Sequence, residues 1–314
     1  MATQPLAELP YSAWEHTKQT LHLYAQIVGK VKLATTPPRN HWWNVPLYVD
    51  VRGLTTRRLT QGGTSFDLTF DFIDHHLVLR TDRGAVSGFA LEDGLTVAAF
   101  DTQLHQLLRD HGLDVEISEQ PFGVPVTTPF PQDDEHAGYD RGYVERFWRA
   151  LVWTDAVLEE FSGWFCGKAS PVHLFWHGLD LAYTRFSGRR APPLVGVDAV
   201  TREAYSHEVI SFGFWAGDDN VREPSYYSYT APEPPGLRDQ PLHPAAAHWQ
   251  EGPTGSLALL SYDEIRTADD PRGRLLGFFQ SAYEAGVQAA GWSAEEFASS
   301  ACPSPAELQK LRLQ

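Results

Sequence analysis

The 314-residue sequence predicts an α+β fold: two copies of a helix–four antiparallel strands–helix unit, related by a pseudo-twofold axis, with helices packed on a mainly antiparallel sheet. Three observations predict it. "NHWWNVPLYVDVRGLTTRR" (40–58) and "VHLFWHGLDLAYTRFSGRR" (172–190) align at a constant offset, with matching apolar positions on one parity. Each is preceded by a helix with an apolar stripe that runs to Gly-Lys. Each is followed by an alternating strand and a closing helix.

The first repeat covers 1–117. Its opening helix, 14–30, carries Trp14, Leu21, Tyr24 and Val28 on one stripe and ends at Gly29, read as a C-terminal cap. Lys18, His22 and Gln26 lie off that stripe and read as a solvated face. The strand that follows places His41, Trp43, Val45, Leu47, Val49 and Val51 on one side. "SFDLTFDF" alternates around Phe66, Leu68, Phe70 and Phe72, and His75–His76 read as an exposed turn. A helix over 96–111, built on Val97, Phe100, Leu104 and Leu107, stops at Gly112.

A Pro-rich connector, 118–140, cannot be helix. The second repeat, 141–292, opens with a helix carrying Phe147, Leu151, Leu158 and Phe165, with Gly167 at the capping position. Its later strand puts Glu208, Ile210, Phe212 and Phe214 on one face. The insertion 231–256 reads as a lid, a binding loop or a disordered segment. The closing helix starts at Asp270-Pro271 and stops at Gly291. The tail 293–314 carries two capping boxes, Ser293 with Glu296 and Ser304 with Glu307, that predict short structural helices. No alternation of strand, helix and parallel strand is present, so pairing is expected to be antiparallel.

Ten Trp, twelve Tyr and seventeen Phe point to a thick, sheet-rich core or an aromatic-lined pocket. A formal charge of −15 with scattered basic residues excludes nucleic acid as the main partner. The start "MATQPLAELPYSAWEH" lacks a signal peptide, and no apolar run approaches the roughly 20 residues that span a bilayer. Two distant cysteines, Cys166 and Cys302, make a disulfide framework unexpected and suit a cytoplasmic protein.

No G-x-G-x-x-G, P-loop, H-E-x-x-H, C-x-x-C or G-x-S-x-G motif occurs, so a nucleotide cofactor has no motif to bind it. Chemistry must come from scattered His, Asp, Glu and Arg. Glu208 stands where the first copy has Phe66; a carboxylate facing a core must be paired, protonated or metal-bound, unless the strand end reaches water. His207 points the other way unless a bulge intervenes. His41 and His173 sit at matching strand starts, either converging on a metal or each bonding its own backbone. His173 and His177 are about 13 Å apart on an unbroken strand, too far for one metal. Asp180 and Trp176 occupy the face opposite the histidines, with an Arg as the natural partner for the acid. "RFSGRR", with Arg185, Arg189 and Arg190, suits an anion or is a surface hairpin. His177 in place of Val45, Asp180 in place of Tyr48 and Glu208 in place of Phe66 put any site in the second half.

"TLHLYAQIVGKVKLA", "NHWWNVPLYVDVRGLTT", "GKASPVHLFWHGLDLAYTRFSGRRAPP" and "REAYSHEVISFGFWAG" resemble a bacterial family catalogued only as a domain of unknown function. The resemblance spans roughly 14–292 and implies one complete family member. It brings no activity, cofactor or catalytic residue.

The function expected is a small-molecule pocket, suited to an anion, in or beside the second repeat. Two readings stay open. One is an acid–base or metal-assisted enzyme with Glu208, His173 and His207 catalytic, and Arg185, Arg189, Asp180, His177, Trp176 and His41 on the ligand. A transition metal is then the candidate cofactor. The other is a non-catalytic module that binds a ligand or a protein. Neither nucleic acid nor membrane is an expected partner, and the sequence leaves the oligomeric state open. Convergence of the polar groups on one cavity separates the readings.

Overall fold

The computed structural model describes residues 6–252 and 255–293. The helices expected at 293–314 lie, apart from Ser293, outside the described residues, as does Cys302.

Helix α1 (Tyr11–Thr35) is the axis of the molecule, and every residue from Thr20 to Lys32 is buried. A helix buried all round sits in the middle of a protein, not on its surface. Gly29 therefore does not cap it. A Cβ there would fall 2.3 Å from the Trp176 ring, so glycine is what lets the indole lie against the helix. The expected solvated face is also absent: Lys18, His22 and Gln26 are all buried. The connector covers that face. Gln26 Nε2 donates to the Phe122 carbonyl at 2.9 Å, and the Phe122 amide donates back to Gln26 Oε1 at 2.8 Å.

The first sheet contains β1 (Tyr48–Asp50), β2 (Gly53–Thr55), β3 (Leu59–Gln61), β4 (Thr64–Asp71), β5 (His76–Thr81) and β6 (Val86–Ala90). Its order is β1-β2-β4-β5-β6, with β3 also paired to β4, and its pairings are antiparallel. On β4, Phe66, Leu68 and Phe70 face the core as their alternation predicts. Helix α2 (Val97–Asp110) follows, capped by Thr96 Oγ1 accepting from the Ala99 amide. His75 is buried rather than exposed, with Nδ1 3.1 Å from the Tyr139 hydroxyl.

Helix α3 (Arg141–Ser162) opens the second half and stops at Gly163, four residues before the expected Gly167. The strands that follow are β7 (His173–Phe175), β8 (Asp180–Arg190), β9 (His207–Trp215), β10 (Ser225–Ala231), β11 (His248–Gly252) and β12 (Gly255–Ser261). They form one antiparallel sheet in the order β11-β12-β10-β9-β8-β7. Short helix α4 (Ala199–Ala204) precedes β9; α5 (Tyr262–Arg266) and α6 (Pro271–Ala290) end the fold. Helix α6 starts on the Asp270 cap with Pro271 in its first turn and stops at Gly291 in the left-handed region, as read from sequence.

The two aligned segments are not single strands. Asn40–Trp42 is a 3₁₀ turn, and the chain reverses between β1 and β2, leaving Val51 83 % exposed. Residues 176–179 likewise reverse the chain between β7 and β8. A constant offset across turns of unequal length pairs residues of different strands: Val49 lies on β1, Leu181 on β8. His41 in its turn and His173 on β7 are therefore not structural counterparts. "RFSGRR" is no hairpin either. It continues β8 through an irregularity between Phe186 and Arg190, with Gly188 at φ 84°.

The sheets meet edge to edge. Leu47, just before β1, and Leu174 on β7 exchange both backbone hydrogen bonds at 2.8 Å. One hydrophobic core runs through both halves. The 231–256 insertion supplies β11 and packs against α6, where the His243 amide donates to Ser281 Oγ at 2.9 Å. No helix among the described residues is long and apolar enough to cross a membrane.

Candidate functional site

The sequence-predicted residues fall into five separate environments. Glu208 lies on the core-facing side of β9, at its outer end, and is paired. Its Oε2 accepts from Arg189 Nε (2.9 Å), Ser187 Oγ (2.9 Å) and Trp292 Nε1 (3.0 Å). Arg189 also donates to the Ala290 carbonyl at 3.0 Å, so the group clamps the end of α6 to the sheet.

Arg185 does not face solvent or an anion. It is 1 % exposed on the helix-facing side of β8, with its guanidinium 3.8 Å from the Phe161 ring centre and 4.4 Å from that of Tyr283. Its Nη2 donates to the Phe161 carbonyl at 2.6 Å. Ring faces and a carbonyl replace a carboxylate, and burial lowers the guanidinium pKa.

His173 is fully buried on β7, and neither ring nitrogen has a hydrogen-bond partner among the described residues. Burial first, then the cations of Lys32 and Arg57, push its pKa down to about 3, so it is neutral. Glu208, Arg185 and His173 thus lie in separate surroundings, the first two each with their own partners and His173 with none among the described residues.

His41 and His207 do come together, their rings 5.3 Å apart, edge to face. Beside them Lys168 Nζ lies 2.9 Å from His41 Nε2, and Glu203 Oε1 accepts from the His41 amide at 2.7 Å. The 3₁₀ turn and α4 assemble this group by packing on each other.

The remaining predicted residues line or adjoin a cleft of about 570 Å³. Its walls are α1 (Tyr11, Lys18, His22, Leu23), the connector (123–126), the β7–β8 turn (His177, Gly178), Trp215 and the 217–220 loop. His22 Nε2 donates to the His177 carbonyl at 3.1 Å, which pins the turn on the helix. Burial, with the Lys18 cation next, drives the His22 pKa down to about 3. Trp176 anchors the same turn from behind, its Nε1 donating to the Val45 carbonyl at 3.1 Å.

Asp180 stands under Gly178: its Oδ1 is 2.5 Å from where a Cβ on that glycine would sit. The Tyr227 hydroxyl donates to Asp180 Oδ2 at 2.5 Å, and Gly213 leaves the room that the Tyr227 ring occupies. Asp180 is thus partnered by a tyrosine, not by the arginine its position suggested. Burial raises its pKa, against the opposing pull of His177 and Tyr227. His177 is lowered by burial, with Asp180 opposing. Lys18 makes no hydrogen bond among the described residues and sits 5.7 Å from the Tyr11 ring centre. Burial lowers its pKa while Asp218, Asp219 and Glu15 resist. Those acids are otherwise engaged: Asp218 Oδ1 accepts the amides of Asn220 and Val221, and Arg222 pairs with both Asp219 and Glu15.

No group of three or more His, Cys, Asp or Glu among the described residues is placed to hold a metal ion. Sequence reasoning missed Lys18 and Lys168. A signal existed: of only five lysines in the chain, three (Lys18, Lys30, Lys32) fall on one helix. A residue this rare and this clustered is not surface dressing.

No curated protein and no solved structure matches the chain. A family model described as "Family of unknown function (DUF5996)" matches residues 6–299. Sharing nearly its whole length with that family, the chain belongs to DUF5996.

Proposed function

We propose that the chain binds a small molecule carrying a carboxylate in the cleft between α1, the connector and the β7–β8 turn. One observation carries the reading: Lys18, a largely buried residue, presents to this cleft an amine with no hydrogen bond among the described residues. A partly desolvated cation whose nearby acids are engaged elsewhere gains from a direct counter-group, and a ligand carboxylate supplies it. The volume, about 570 Å³, suits a small organic molecule. Leu23, Val124, Val126 and Trp215 offer apolar walls for its body. His177, Asp180 and Trp176, read from sequence as ligand-side residues, act here by lining or supporting the cleft.

Two broader readings accompany it. Corresponding strand orders outward from β1 and β7, with those strands joined at Leu47 and Leu174, support a duplicated unit whose twofold axis passes between them. The acidic charge and sparse cysteine support a cytoplasmic protein.

The test is isothermal calorimetry of the purified protein with phenylacetate, indole-3-acetate and 4-methylpentanoate, each beside its primary amide. At least one acid is expected to bind ten-fold or more tighter than its amide, and Lys18→Met is expected to abolish that preference while melting normally. Equal binding of acids and amides, no binding by any, or an unchanged preference in Lys18→Met overturns the reading.

A further inference from the structure

We propose that Lys168 is a reactive amine that condenses with small uncharged aldehydes or ketones, with His41 as its proton acceptor. The site is distinct from the Lys18 cleft and does not rest on it.

The geometry has the three parts of an activated nucleophile. Lys168 is the nucleophile, held by its backbone: its carbonyl accepts the Phe186 amide at 3.0 Å, and the next residue bridges to β8. Its side chain passes between the rings of Phe186 (4.8 Å) and Trp43 (5.4 Å). His41 is the base. An ammonium has only hydrogens to give, so the Nε2 atom 2.9 Å away must be the accepting nitrogen. The proton of the neutral ring then sits on Nδ1, which faces the Ala204 carbonyl at 3.3 Å. That carbonyl is the orienting group.

His41 is also held in an uncommon backbone state. It and Trp42 have φ of 57° and 59°, and the Glu203 carboxylate grips the His41 amide at 2.7 Å. The second oxygen, Glu203 Oε2, is buried with no partner among the described residues. Glu203 is the acid facing the pair and His207 the second imidazole; neither hydrogen-bonds the Lys168 amine among the described residues. Burial lowers both Lys168 and His41, with Glu203 opposing in each case, which eases release of the ammonium proton and leaves a neutral imidazole to receive it. Lys168 as a whole is exposed, so a carbonyl compound reaches it from solvent.

The step balances without any other reagent. His41 Nε2 takes a proton from the ammonium, and the amine lone pair attacks the carbonyl carbon as the C=O π pair moves to oxygen. The oxygen takes the proton back and leaves as water after a second proton transfer from nitrogen through His41. Ammonium plus carbonyl becomes protonated imine plus water. A purely structural lysine in the same ring box would be less reactive than a free amine.

The experiment treats the whole protein at pH 7 with benzaldehyde and cyanoborohydride, with Nα-acetyl-lysine in the same tube, and quantifies benzylation of each lysine by peptide mass spectrometry. Lys168 is expected to react at least ten-fold faster than acetyl-lysine and than Lys18, with a pH profile shifted to lower pH. His41→Gln, which can accept a hydrogen bond but not carry a proton, is expected to remove that advantage. Lys168 reacting no faster than acetyl-lysine, preferential labelling of Lys18, or a folded His41→Gln variant that keeps the full rate each overturns the proposal. If His41→Gln does not fold, the wild-type comparison and its pH profile decide alone.

Discussion

Gly29, in the middle of the central helix, and Trp176, in the β7–β8 turn, occupy one space: the indole fills the volume where a Cβ would stand, 2.3 Å away. Gly29→Ala is expected to lower stability by about 1–3 kcal/mol through overpacking, even though alanine improves helix propensity by about 1 kcal/mol. Urea denaturation measures this. A variant as stable as wild type would show that the turn moves aside freely.

His22 and His173 both titrate at about 3 in the fold, against an ordinary 6.5. Below that ordinary value the unfolded chain binds protons that the folded chain refuses. Stability therefore falls as pH drops from 6.5 towards 3, by about 2 kcal/mol per imidazole at pH 5. His173→Leu removes one of these two effects and two unpartnered nitrogens. It is expected to match wild type at pH 7.5 and exceed it at pH 5, as read by urea midpoints at the two pH values. Parallel pH curves for the two proteins would sink this account.

Glu208 and Arg189 should act as one unit with the end of α6. Both side chains are partly solvated, so Glu208→Gln and Arg189→Met are each expected to cost about 1 kcal/mol. The double variant should cost less than the sum, with faster amide exchange confined to residues 285–291. Strict additivity would separate the two groups.

Arg185 is held by rings and a carbonyl. Lysine in its place would bury a more strongly hydrated cation without the planar stacking. Arg185→Met is therefore expected to unfold at a higher temperature than Arg185→Lys, and calorimetry ranks them. The reverse order would mean that the positive charge itself holds the site together.

The sequence by itself determined most of what depends on local periodicity. The Phe66, Leu68 and Phe70 face, the Asp270-Pro271 start and Gly291 stop of α6, antiparallel pairing and the inward side of Glu208 are set by neighbours two to four residues away, where sequence pattern and geometry are the same thing. Tertiary structure alone decided which polar groups were covered. Lys18, His22 and Gln26 looked solvated because one helix taken alone shows only its own stripe; the connector and the β7–β8 turn bury the other side. Arg185 and Arg189 are four residues apart, yet one is sealed among rings and the other pairs with Glu208, because β8 turns irregular between Phe186 and Arg190. The pairing of His41 with Lys168, and of Asp180 with Tyr227, joins residues 127 and 47 positions apart. Contacts over such distances are chosen by how whole elements pack against one another, and no local spacing in the chain encodes them.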